Sequence, residues 1–301
     1  MFLRTSARIA IALFAALAVV PVLAAGGLAQ SDPESGQANN PLFMPLIQQP
    51  PASEAAGAPD ASVEDAHHRG PDRNLPTIVL VHGAWADGTG WQEVIPLLEE
   101  KGYPVIAVQN PLISLANDVE TTRRVIDAQP GPVIVVGHSY GGAVISGAAA
   151  GAPNVKALVF IAAFALDANE TGISLLTQFP TELGGALVPD AAGFLYIDRA
   201  KFRAIFAADV DKTAARVMAA AQKPVNGHIF VETIDAAAWR TIPSWYMVAT
   251  EDKALSPDME RFLAQRMNAT TVEVKSSHVP FISRPKEVVR LIEQAAKATV
   301  K

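Results

Sequence analysis

The chain has 301 residues, half of them hydrophobic, and 24 Lys and Arg against 30 Asp and Glu give a formal net charge of −6. That is enough apolar material for a sizeable core, and the mildly acidic balance argues against nucleic acid as a partner. No cysteine occurs, which excludes thiolate zinc sites, iron–sulfur clusters, disulfides and a cysteine nucleophile.

The N-terminus, "MFLRTSARIAIALFAALAVVPVLAAGGLAQ", carries Arg4 and Arg8 without an acid. An apolar run from Ile9 to Ala25 follows, and small residues then close at Ala29. This is the pattern of a signal peptide over residues 1–29, cleaved after Ala29, and it predicts a periplasmic or secreted protein. The alternative is an uncleaved membrane anchor, since the apolar run approaches the ~20 residues that span a bilayer. Pro21 and the closing Ala and Gly residues favour cleavage. Residues 30–74 shift to Ser, Pro, Gln, Ala, Gly and Asp, a composition that buries too little apolar surface to offset its ordering entropy, and they are expected to form a flexible linker. Within it "PLFMPLI" (Pro41 to Ile47) is one sticky patch, and His67 and His68 read as polar linker residues rather than metal ligands.

From Leu75 onward strand and helix patterns alternate. Thr77 to His82, Pro104 to Val108, Pro132 to Val136, Ala157 to Ile161, Trp245 to Ala249 and Thr271 to Val274 are short apolar, β-branched runs, as expected of strands covered on both faces. Stretches such as "WQEVIPLLEEKG" and "DVETTRRVIDAQ" between them place apolar residues at helical spacing, with Lys101-Gly102 as a stop. The pattern predicts an α/β fold, a mostly parallel sheet with helices on both faces, over residues 75–301. From about Asp167 to Thr241 Ala-rich, helix-like sequence without an evident strand interrupts the alternation, which predicts an inserted helical cap.

The stretch "VIVVGHSYGGAVI" (Val133 to Ile145) sets Ser139 between Gly137 and Gly141, at the end of an expected strand and the start of an expected helix. Such a tight turn exposes a serine oxygen above the sheet end, and glycine leaves room for the close approach. Gly142 lets the helix pack near the sheet. A serine hydroxyl needs a base to take its proton, and that base needs an acid to fix its tautomer. Asp252 lies in the turn after the strand ending at Ala249, with its neighbour Glu251 as the alternative acid. His278, after the last strand, completes the order Ser, Asp, His. Of the other histidines, His82 closes the first strand and is expected to be structural, His138 lies inside the turn, and His228 falls in the cap. An oxyanion hole requires two main-chain donors; the backbone N–H groups of Ala84, in "VHGAWADGTGW", and of Tyr140 are placed to supply them.

His82-Gly83-Ala84-Trp85, Gly137-His138-Ser139-Tyr140-Gly141-Gly142, Thr250-Glu251-Asp252-Lys253 and Ser277-His278 together resemble the α/β-hydrolase superfamily. The resemblance is to its small esterase branch, with plant methyl-ester esterases and hydroxynitrile lyases. It covers residues 75–301. It implies Ser139 as nucleophile, His278 as general base, Asp252 as orienting acid, no cofactor and no metal, and hydrolysis of a small-molecule carboxylic ester through an acyl-enzyme. The alternatives are a lactonase or amidase, a cofactor-free perhydrolase, or a ligand-binding protein of the same fold. Hydroxynitrile lyases that resemble this chain carry threonine where Gly83 stands and lysine where Val279 stands, so esterase rather than lyase chemistry is expected.

Overall fold

The computed structural model describes residues 75–300; the expected signal peptide, the linker with its His67-His68 pair, and Lys301 lie outside the described residues. In chain order the elements are β1 (Thr77–Val81), α1 (Ile95–Glu99), β2 (Val105–Val108), α2 (Leu115–Asp127), β3 (Val133–His138), α3 (Tyr140–Ala148) and β4 (Val155–Ile161). Next come α4 (Gly172–Gln178), β5 (Leu187–Pro189), β6 (Phe194–Ile197), α5 (Arg199–Phe206), α6 (Lys212–Ala221) and β7 (Val225–Asn226). The chain closes with β8 (Ser244–Ala249), α7 (Pro257–Arg266), β9 (Thr270–Val274), α8 (Pro280–Ser283) and α9 (Pro285–Thr299).

Six strands form one sheet in the order β2-β1-β3-β4-β8-β9, and every pairing in it is parallel. Every residue of β1, β3 and β8 is buried, which requires cover on both faces and accounts for their unbroken apolar sequence. The edge position of β9 overturns that expectation locally. Its residues are exposed or half-buried, with Val272 and Val274 turned toward the core and Thr271 and Glu273 toward water. Helix α9 packs on β3, β4 and β8, with Val288, Val289, Leu291, Ile292, Ala295 and Ala296 as its buried stripe. Helix α2 starts at an N-cap in which the Ser114 side chain accepts from Asn117 N, and packs against α3.

The inserted region between β4 and β8 is not wholly helical. Besides α4, α5 and α6 it contains a three-stranded antiparallel sheet, β5-β6-β7. These strands are two to four residues long, too short to show a period of two in sequence. Gln222, the residue that ends α6, donates to Ile197 O and accepts from Ile197 N, clamping that helix to β6.

Candidate active site

The Ser139 turn joins β3 to α3. Ser139 has φ 53° and ψ −124°, a strained conformation for a residue with a Cβ, held from both sides: its N–H donates to Ile161 O at 3.2 Å and its carbonyl accepts from Phe164 N at 3.0 Å. A Cβ on Gly141 would lie 2.6 Å from Val81 O, and one on Gly142 would lie 2.0 Å from Phe164 O. The glycines therefore set how closely α3 approaches the sheet, and with it the height of the serine.

Ser139 Oγ donates to His278 Nε2 at 2.8 Å, and His278 Nδ1–H donates to Asp252 Oδ2 at 2.5 Å. The other Asp252 oxygen accepts from Ala254 N at 2.7 Å and Leu255 N at 2.9 Å. Asp252 follows β8 and His278 follows β9, both at the carboxyl ends of parallel strands where the serine also sits. All three side chains are buried, with Ser139 4% exposed and His278 1%. Glu251 points away from them, forming an ion pair with Lys275 on the surface, so the choice between two adjacent acids falls to Asp252. His138 has a part that its position inside the turn did not reveal. Its Nε2–H donates to the main-chain carbonyl of His278 at 2.8 Å, tying the serine turn to the histidine loop, and burial followed by the nearby His278 holds its ring well below the usual imidazole range.

Gly83 lies against the serine: a Cβ there would be 2.7 Å from Ser139 Cβ and 2.9 Å from His138 Nδ1. Among the described residues the N–H groups of Ala84 and Tyr140 donate to no protein acceptor. Tyr140 opens α3, so its N–H has no partner within the helix. One free donor follows Ser139 directly and the other follows Gly83, which lies against Ser139; two such donors suit a developing negative charge. His82 is a buried structural group, as expected. Its Nε2 accepts from Asn110 N at 3.0 Å, and burial lowers its pKa to about 4.

The Tyr140 side chain turns into the protein and donates to Asp118 Oδ2 at 2.8 Å, while Asp118 Oδ1 accepts from Leu112 N at 3.0 Å. Burial, then the negative charge of Asp118, pushes the Tyr140 hydroxyl well above its usual range. Trp85 has φ 58° and donates from Nε1 to Leu195 O of the cap, which joins the Ala84 loop to β6. A cluster of rings closes the site. Phe206, at the end of α5, meets His278 edge-on at 4.8 Å and Trp85 at 6.4 Å, and Trp85 stacks on Phe230 at 5.9 Å. Phe202 packs on Phe206. Phe179 lies against Phe262, and Trp239 donates to Leu166 O. Phe206 and Phe230 were not singled out from sequence, where they look like any apolar residue of an amphipathic segment.

A separate open cleft of about 460 Å³ in the cap is lined by Val188, Tyr196, Arg199 and Gln222, and none of the Ser139, Asp252 or His278 side chains reaches it. His228 is exposed on the cap surface. Among the described residues no group of three or more His, Asp or Glu side chains is arranged to hold a metal ion.

The serine turn, the buried Ser–His–Asp chain and the parallel sheet define a hydrolase class, and the comparisons agree. Residues 78–291 match the model of the alpha/beta hydrolase family, and the chain belongs to that family. Among curated relatives, alpha/beta hydrolase nvfD of Aspergillus novofumigatus is 27% identical over 246 residues, covering 73% of this chain and 96% of its own. Methylesterase 2 of Arabidopsis thaliana is 25% identical over 244 residues, covering 69% and 90%. The branch is thus one that includes plant methylesterases. A pyrethroid hydrolase from Sphingobium faniae superposes with a TM-score of 0.65 at 22% identity, covering 74% of this chain and 98% of that one, which shows the shared fold.

Proposed function

We propose that the protein is a serine esterase that cleaves small carboxylic esters through an acyl-enzyme. The observation that carries this is the buried hydrogen-bonded chain from Ser139 Oγ through His278 to Asp252. Ser139 Oγ attacks the ester carbonyl as its proton passes to His278 Nε2. The N–H groups of Ala84 and Tyr140 hold the oxyanion, a contribution of about 3 kcal/mol for a single donor in comparable enzymes. His278 then protonates the leaving alcohol, and water, activated by the same imidazole, releases the acid. Asp252 holds the Nδ1–H tautomer and stabilises the imidazolium.

The Phe206 ring against His278, with Trp85 packed on it, favours esters with an apolar acyl group over strongly polar ones. Apolar Val279, buried directly after His278, offers no charge to a departing cyanide, so cyanohydrins are not substrates. The test is turnover of p-nitrophenyl esters of increasing chain length, labelling by a fluorophosphonate probe, and cleavage of mandelonitrile, each beside Ser139→Ala. Ester hydrolysis and labelling that both vanish in the folded variant support the reading. Ester turnover surviving in Ser139→Ala, or Ser139-dependent cyanide release exceeding it, refutes it. We further propose that the enzyme is exported by its first 29 residues, which a mature N-terminus at Gln30, read by mass spectrometry, would support.

A further inference from the structure

Glu260 sits on α7 with none of its surface exposed. Its Oε2 accepts from Ala249 N at the end of β8 at 2.9 Å, and among the described residues no N–H or hydroxyl donor reaches Oε1. The bond to Ala249 N seats this carboxyl against the turn that carries Asp252, whose own N–H donates to Ala249 O at 3.2 Å, and the Asp252 carboxyl acts on it. Two bare carboxylates in contact in a dry interior repel strongly, and the contact becomes favourable when one of them holds a proton. Asp252 already accepts from three N–H groups, those of His278, Ala254 and Leu255. That leaves Glu260, which has a single donor, as the group that carries the proton.

The other charged or titratable groups around it do not supply a counter-charge. Tyr246, on β8, is buried and neutral, with its hydroxyl bonded to Ala163 O. Arg261, next to it on α7, points to the surface, where Glu273 and Asp258 engage it. Burial, and after it the charge of Asp252, pushes the Glu260 carboxyl well above the usual carboxylate range.

We propose that Glu260 is a positioning residue that works as an uncharged carboxylic acid, donating its O–H to Asp252 and so holding Asp252 in line with His278. This rests on the triad reading above. The geometry gives Asp252 a fourth donor and couples α7 to the reacting serine through Asp252 and His278.

The replacement Glu260→Gln keeps a donor of nearly the same shape, whereas Glu260→Met fills the space and removes it. The expected result is a kcat for Glu260→Gln within about threefold of the parent, and one for Glu260→Met lower by about 5- to 10-fold with KM little changed, the scale of one buried hydrogen bond. Infrared difference spectra of Ser139→Ala against Ser139→Ala with Glu260→Gln decide the protonation state without using activity. Loss of a neutral carboxylic C=O band at pH 7 supports the proposal. Loss of an ionised carboxylate band overturns it, as does a folded Glu260→Met with the kcat of Glu260→Gln. Should Glu260→Met fail to fold, the infrared comparison still decides. Should Ser139→Ala retain esterase activity, the triad reading fails while the infrared result for Glu260 stands on its own.

Discussion

Gly83 offers the sharpest test of how tightly the site is built. A Cβ at this position would lie 2.7 Å from Ser139 Cβ, 2.9 Å from His138 Nδ1 and 3.1 Å from His138 O. Carbon atoms rest at about 3.5 to 4.0 Å, so Gly83→Ala forces a relative displacement of roughly 1 Å between two main-chain segments. Neither segment yields freely. The serine turn is bonded to Ile161 and Phe164, and the His138 ring is bonded to the His278 carbonyl. A misplacement of about 1 Å at a reacting group costs on the order of 100-fold in rate, equal to about 2.7 kcal/mol of activation free energy. Overpacking of this kind costs a further ~1 to 3 kcal/mol of stability. The prediction is therefore a kcat on p-nitrophenyl acetate about 100-fold lower than the parent's, a matching fall in the rate of fluorophosphonate labelling, and a lowered Tm. A Gly83→Ala protein with unchanged kcat and Tm would show that the Ala84 loop is free to retreat and that the oxyanion hole is not rigid.

Tyr140→Phe removes the hydroxyl that donates to buried Asp118 and leaves a carboxylate oxygen without that partner. A loss of about 1 to 3 kcal/mol in urea unfolding is expected, and an unchanged midpoint would contradict the role given to this bond. His82 makes stability fall with acid. Its native pKa is about 4 against 6.5 when exposed, so between those values the unfolded chain binds more protons and unfolding becomes easier as pH drops. The cost reaches about 3 kcal/mol by pH 4. Replacement by Gln, which still accepts from Asn110 N, should remove the His82 share of the slope in urea titrations at pH 7 and pH 4 and leave the share of buried His138, whose ring is also held below the usual imidazole range. An identical slope in parent and variant would rule His82 out as its source. Asp252→Asn, which puts the wrong partner on His278 Nδ1, should lower kcat by roughly 10³- to 10⁴-fold while the protein stays folded; a loss under tenfold would point to another acid.

The six strands of the main sheet, their order along the chain and the serine turn were legible in the sequence. Each is a local pattern, a short β-branched run or glycines at fixed offsets, whose conformation depends on neighbours a few residues away. The candidate triad was legible for a related reason, since Asp252 and His278 each follow directly after a strand and parallel strands bring their carboxyl ends together. Tertiary structure decided what depends on partners distant in sequence. Glu251 and Asp252 are adjacent and chemically alike, and only the direction of each side chain, one toward His278 and the other toward Lys275, separates them. The small sheet of the cap exists because β5, β6 and β7 pair with one another, not because any of them is strand-like alone. Phe206 meets His278, and Phe230 meets Trp85, only when the cap folds over the sheet. The state of Glu260 is decided last of all, by burial beside Asp252, because the free energy of ionising a carboxyl depends on its surroundings and no spacing of residues records them.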